Sequence, residues 1–248
     1  MYPYIHALFA DRTGSVIFTC FGLWHILYLL LALAGVCLFC KFCTDKAKAA
    51  RVCLYFAFGL YILDFFLMPF AYGSIDIEKL PFHACTAMCV MSFLSTRWDK
   101  LQKYQDQFAL LGLISNGIYL VYPAGVGWYQ IHPFCYRVVQ TLMFHSLMTA
   151  FGIFYFVSRK DSFSFKNWKK ELLVVCGQTV WALLGNTLYN GQAGKYDHFF
   201  NWFFVVRDPF YLLPERIAPW IMPFVLIITF FGLEMTIYWI VNLWRKRK

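Results

Sequence analysis

Seven stretches of this chain are apolar enough to form membrane helices, and that pattern limits the fold more than any other feature. A helix that crosses a bilayer needs about 20 apolar residues. Only 14% of the residues are charged, against about 25% in an average soluble domain. We therefore predict an all-α, polytopic membrane protein, one domain over residues 1–248, with seven transmembrane helices at about 16–42, 52–71, 80–96, 108–122, 137–157, 172–190 and 220–243.

The distribution of basic residues predicts the orientation of these helices. The loops and tail on one side carry 16 Lys and Arg residues, and those on the other side carry six. Basic loops stay on the cytoplasmic side. We therefore expect the N-terminus outside and the C-terminus in the cytosol. The net charge of +9 then reflects orientation and attraction to lipid headgroups, so no nucleic-acid partner is expected.

Nine cysteines lie mostly inside the apolar stretches. An odd number in such positions argues against a disulfide framework. Cys37, Cys40 and Cys43 are spaced three apart, and Cys53 could add a fourth thiolate for a metal. No histidine is near them in the sequence, and free cysteines usually pack as small hydrophobic residues. We expect no metal and no cofactor.

We expect the polar residues inside these helices to lie at similar depths in the membrane. Counting 1.5 Å per residue from the outer end of each helix places them in the outer half of the bilayer. Helices of opposite direction would thus bring their polar groups into one layer, where a site could form. The residues in this predicted layer are His25, Asp64, His83, Cys85, Asn116, His145, Asn186 and Glu234.

Each of these residues also has a structural interpretation. Asp64 and Glu234 are costly in hydrocarbon, so they indicate either a site or a buried structural pair. His145 lies on a polar stripe with Thr141 and Thr149, which suits catalysis or a satisfied buried histidine. Asn186 and Asn190 share one helix face and could contact a ligand or hold helices together. His25 and Asn116 likewise could belong to a site or have a structural role.

The third predicted helix carries the most reactive group. Cys85 stands near its start, where free N–H groups and the helix dipole stabilise a thiolate or an oxyanion. His83 is two residues away and points about 200° from Cys85 on a regular helix, so the two cannot easily pair. A cysteine nucleophile would therefore need a base from another helix. His145, at similar depth, is the best candidate.

Several motifs resemble those of a known membrane protein family. These are FGLWHILYLL at 21–30, LPFHAC at 80–85, the mid-helix His145 and the Asn186-x-x-x-Asn190 pair. They resemble the YwaF-like family, which is similar to a eukaryotic transmembrane acyltransferase of ether phospholipids and, more distantly, to the androgen-induced membrane hydrolases. The resemblance implies that Cys85 is the nucleophile and His145 the general base. The segment after Asn190, GQAGK, departs from the aromatic run expected there.

The sequence thus favours an integral membrane lipid acyltransferase or acyl-ester hydrolase acting on membrane lipids or fatty-acyl groups. Cys85 and His145 would be catalytic, and the other members of the layer together with Asn190 would bind or orient the substrate. The alternative is a small proton-coupled carrier in which Asp64, Glu234 and His145 bind or titrate. No oligomeric state is indicated.

Overall fold

A computed structural model describes residues 14–72, 77–127, 130–159, 162–190 and 199–246. Its main elements are seven helices, which we number in chain order, and no strand occurs in these ranges. Short helical turns lie at Ile77–Lys79, Asp99–Gln102, Ala124–Gly127, Phe165–Asn167 and Trp202–Phe204. The main helices are α1 Leu23–Phe42, α2 Lys46–Tyr72, α3 Ala84–Ser95, α4 Gln105–Val121, α5 Tyr136–Ser158, α6 Trp168–Asn190 and α7 Ala218–Lys246.

Six helical segments of the described residues are long and apolar enough to cross a membrane. They contain every main helix except α3, and the segment of α4 extends through the short helix to Gly127. The all-helical, multi-pass prediction is therefore confirmed. The third predicted helix exists but spans only Ala84–Ser95, about 18 Å at 1.5 Å per residue. It starts late because residues 80–83 form a turn instead of helix. The count of seven spans and the orientation remain predictions.

The first helix also begins later than predicted, at Leu23 instead of residue 16. Phe21 has a φ of 61°, in the left-handed region that a right-handed helix cannot include. Before it, Phe18 is fully buried and its N–H donates to the Ile131 carbonyl at 2.8 Å. His25 consequently lies in the first turn of α1, whereas the prediction placed it well inside a longer helix.

The chain forms two compact units. The first comprises Met1–Ile77 and Ser115–Ser158, and it contains α1, α2, α5 and the end of α4. Within it, α5 packs along both α2 and α1. Its apolar core is built from Phe18, Leu120, Val126, Ile131, Cys135, Val138 and Leu142.

The second unit comprises Glu78–Ile114 and Arg159–Lys248. It contains α3, most of α4, α6 and α7. The central element is α6, which packs against α7, against the short helix Trp202–Phe204 and against the turn Phe165–Asn167. The described part of the connection from α6 to α7, residues 199–217, is thus part of the packed structure of this unit.

Candidate functional site

The nine predicted site residues divide between the two units. His25, Asp64, Asn116 and His145 belong to the first unit, and His83, Cys85, Asn186, Asn190 and Glu234 belong to the second. The pairing of Cys85 with His145 therefore stays a prediction. Each unit nevertheless shows how its own residues are held.

In the second unit, α6 holds the turn that precedes α3. The Gln178 amide donates to the Phe82 carbonyl at 2.8 Å, and the Trp181 indole N–H donates to the Pro81 carbonyl at 2.7 Å. Pro81 has no N–H and blocks a helix across this point, so its carbonyl and that of Phe82 are left for side-chain donors. These bonds fix the backbone immediately before His83 and Cys85.

An aromatic cluster encloses the same turn. The Phe82 ring lies 4.9 Å from the ring of Trp181 and 4.9 Å from that of Trp202, measured between centroids. A Cβ added at Gly185 would stand 2.5 Å from the Phe82 ring. Gly185 is therefore required by the close approach of Phe82 to α6, and it lets the turn pack directly on the helix.

Asn186 and Asn190 hold the α6–α7 connection. The Asn186 amide donates to the Trp202 carbonyl and accepts from its N–H, both at 3.0 Å. Asn190 makes the same paired bonds with Phe200, at 2.7 and 2.8 Å. In this arrangement both asparagines use their amides to bind backbone, so they position the residues around Trp202.

His83 is tied to that connection. Its Nδ1 accepts from the Phe203 N–H at 3.2 Å, so a neutral ring carries its proton on Nε2. Phe203 and Phe204 have φ values of 56° and 55°, a strained conformation for bulky residues. The geometry makes His83 a hydrogen-bond donor at Nε2.

Cys85 is the second residue of α3. His83 caps the helix with its backbone only, and the first-turn N–H groups of an α-helix have no intrahelical acceptor. Burial of the thiol disfavours the thiolate most strongly, and the N–H groups of Cys85 and Thr86 and the charge of Lys79 act in the opposite direction. The side chain is half-buried, whereas Cys89, one turn further, is fully buried.

Glu234 lies far from these residues. It is 16 positions after the start of α7, about 24 Å along the helix, because α7 already begins at Ala218. The charge of Glu171 acts on it, and Glu171 is in the first turn of α6, about 22 Å along that helix from Asn186. The structure therefore differs from the prediction that Glu234 and Asn186 share one layer.

In the first unit, His145 is held in a defined tautomer. Its Nδ1 lies 2.7 Å from the Thr141 carbonyl, which can only accept, so Nδ1 carries the proton and Nε2 carries the lone pair. The ring stacks on Tyr119 at 3.8 Å between centroids and meets the edge of Phe144 at 5.1 Å. A general base needs this tautomer and this fixed orientation.

His25 binds backbone through both ring nitrogens. Its Nδ1 accepts from the Phe21 N–H at 2.9 Å, and its Nε2 donates to the Leu120 carbonyl at 2.8 Å. The ring is fully buried, as expected of a histidine that joins α1 to α4. Asp64 and Asn116 are also buried, at 1% and 0% exposure.

Among the described residues, no group of three or more His, Cys, Asp or Glu side chains could hold a metal. All nine cysteines are free thiols. Sequence reasoning passed over the residues that hold the site turn. These are Gln178 and Trp181, and a glutamine and a tryptophan three residues apart on a helix can donate toward one neighbouring segment.

Together these features define an integral multi-pass membrane protein with a cysteine and a histidine anchored by buried polar contacts. Comparison with known families identifies it further. The chain belongs to the TMEM164 family, whose sequence model matches residues 20–241. A search of curated proteins and of solved structures finds no significant match.

Proposed function

We propose that this protein transfers or hydrolyses lipid acyl groups, with Cys85 as the nucleophile. The observation that carries the proposal is the setting of the Cys85 thiol in the first turn of α3. The backbone N–H groups of Cys85 and Thr86 and the charge of Lys79 favour the thiolate, whereas burial of the thiol has the larger and opposite effect. Burial keeps the resting thiol protonated, so the proposed nucleophile needs a base that takes its proton.

In the proposed reaction, the Cys85 sulfur attacks the carbonyl carbon of an acyl ester. The thiol proton passes to a general base as the S–C bond forms, and the base returns it to the alkoxide that leaves. The product is a thioester on Cys85. Water or the hydroxyl of a lysolipid then attacks the thioester, gives its proton to the base and restores the thiol. Water yields a fatty acid, and a lysolipid yields a new lipid ester.

His145 is the proposed base. The resemblance to the acyltransferase family assigns it this role, and its Nδ1–H bond to Thr141 leaves the lone pair on Nε2. His83 suits a different role because its Nδ1 already accepts from Phe203. With its proton on Nε2, His83 would donate to the oxyanion, as would first-turn N–H groups of α3.

The other predicted site residues would orient the substrate or the site. Asn186 and Asn190 act through the backbone around Trp202, so we assign them positioning roles. Asp64 and Asn116 are buried polar groups of the first unit, and in this proposal they polarise or orient. His25 binds backbone through both ring nitrogens, and Glu234 is far along α7 from its start, so we assign both residues to the fold of their own units.

The test is covalent trapping with an alkyne-tagged long-chain acyl thioester. Purified protein in detergent should become acylated, and neutral hydroxylamine should remove the label because the bond is a thioester. Cys85→Ala should abolish this labelling. His145→Gln should slow it by about 10²–10⁴-fold, the usual contribution of general-base catalysis.

Cys89→Ala is the matched control, since Cys89 lies one turn further on the same helix and is fully buried. It should label like the wild type. Hydroxylamine-sensitive labelling that persists in Cys85→Ala would overturn the nucleophile assignment. Equal labelling rates in His145→Gln and wild type would overturn the base assignment.

A proton-coupled carrier is the second candidate. Asp64 and Glu234 favour it. Both residues are buried, at 1% and 0% exposure, in helices of membrane-spanning length. Buried ionisable residues in such helices often mark proton pathways. Reconstituted liposomes with a pH-sensitive dye separate the two candidates. Proton flux in Cys85→Ala together with no acylation of the wild type would favour the carrier.

A further inference from the structure

The second unit contains a buried acidic cluster that the proposed reaction does not use. It is formed by Gln107 in the first turn of α4, Glu171 in the first turn of α6, and Glu234 and Tyr238 in α7. We call these four residues the carboxyl cluster. Three helices meet here, and both carboxyl side chains are fully buried.

The two glutamates of the carboxyl cluster have different partners. Oε1 of Glu171 accepts from the Gln107 amide at 3.0 Å and from the Tyr238 hydroxyl. Glu234 receives no hydrogen bond at either oxygen from the described residues. Hydrogen bonds to a carboxylate stabilise its charge. A negative charge is therefore more stable on Glu171 than on Glu234.

The cluster has more acceptors than donors. Oε2 of Glu171, both oxygens of Glu234 and Oε1 of Gln107 are buried without a partner in the described part of the chain. Gln107 is 1% exposed, and its amide nitrogen already bonds Glu171, so its oxygen lies in the same cluster. A ligand that supplies a donor and removes negative charge would satisfy these atoms.

Two other charged residues act on Glu171, namely Asp106 and Lys170. Asp106 lies 3.4 Å from Arg159, and the Lys170 ammonium donates to the Lys103 carbonyl at 3.3 Å. Their charges act on Glu171 in opposite directions, so Asp106 offsets the stabilising effect of Lys170. Burial and the charge of Glu171 both disfavour a second negative charge on Glu234 in this low-dielectric interior.

We propose that the carboxyl cluster is a proton-binding site in which Glu234 holds a proton at neutral pH and Glu171 is the carboxylate. The protonated Glu234 supplies the missing O–H donor, and the cluster then carries one negative charge instead of two. A proton is favoured over a metal ion because the described residues offer no third acidic, histidine or cysteine ligand here. This inference does not depend on acyl transfer.

The experiment is infrared spectroscopy of the full-length protein at neutral pH in water and in deuterium oxide. A protonated carboxyl absorbs apart from carboxylates and shifts on deuteration. The wild type should show this band, and Glu234→Gln should lose it. Glu171→Gln should keep it, because Glu234 stays fully buried. Glu215→Gln, which changes an exposed carboxyl, is the control and should match the wild type.

A second measurement uses the pH dependence of stability. A carboxyl that is protonated in the folded protein and ionised in the unfolded chain makes stability fall as pH rises. Glu234→Gln should reduce this slope because it mimics the protonated form. The proposal is overturned if the wild type lacks the band or if Glu234→Gln keeps it. A sodium effect would also overturn it. The wild type would then unfold at a higher temperature in sodium than in choline at equal ionic strength, and Glu234→Gln would show no such difference.

Discussion

Gly185→Ala should damage the support of the Cys85 turn by overpacking it. The added Cβ would stand 2.5, 2.6 and 2.8 Å from three atoms of the Phe82 ring, where carbon atoms prefer about 3.5–4.0 Å. The ring must therefore move by about 1 Å. It has little room, because Trp181 and Trp202 lie on it at 4.9 Å each.

The magnitude follows from two opposing effects. Overpacking of a core costs about 1–3 kcal/mol, and replacing a helical glycine by alanine returns up to about 1 kcal/mol. Gly177 measures the second effect alone, since it lies on the same helix and a Cβ there meets nothing within 4 Å. Gly185→Ala should therefore be about 1–3 kcal/mol less stable than Gly177→Ala.

The assay is unfolding of the purified protein in detergent, followed by tryptophan fluorescence. At about 2–4 °C per kcal/mol for a chain of this size, the two alanine variants should differ by about 2–12 °C in midpoint. Phe82→Leu added to Gly185→Ala should recover part of the loss, which a double-mutant cycle detects as coupling. Equal midpoints for the two alanine variants, or no coupling to Phe82, would refute the reasoning.

Two further predictions concern the α6–α7 connection. Asn186→Ala removes both bonds to Trp202 and should lower the free energy of unfolding by about 2–4 kcal/mol, because two bonds are lost and backbone groups are left unpaired. Proteolysis after residue 199 should become faster, and unchanged cleavage would contradict this. The hydrogen bond from the Phe210 N–H is the main cause that lowers the pKa of Asp208, and the hydrogen bonds from the N–H groups of Leu213 and Leu212 lower it further. That stabilisation is present above the ordinary pKa of aspartate and lost as pH falls through the lowered value. Amide exchange at 210–213 should therefore accelerate in acid for the wild type, and Asp208→Asn should be insensitive to pH over that window.

Local composition was sufficient to predict the helices. The end of α6 at Asn190 matches the sequence-based boundary, because a run of apolar residues is a property of the segment itself. The starts of α1 and α3 were missed for local reasons that hydropathy does not record. Phe21 adopts a left-handed conformation, and Pro81 lies in a turn.

The carboxyl cluster shows what the sequence could not reveal. Glu171 follows two lysines, so the sequence predicts that it belongs to the preceding loop. In the structure α6 already begins at Trp168, and Glu171 is buried. Its partners Gln107 and Tyr238 are 64 and 67 residues away. Contacts that depend on three helices meeting have no signal in any one segment.

The paired asparagines of α6 make a helix act as a template for the chain that follows it. Four residues of helix rise about 6 Å, so Asn186 and Asn190 stand one turn apart on the same face of α6. Asn186 and Asn190 therefore match Trp202 and Phe200, every second residue of a chain running the opposite way. A slip of one residue would turn both backbone pairs away from the amides. The connection can consequently bind α6 in one register only, and that register sets where Phe203 meets His83.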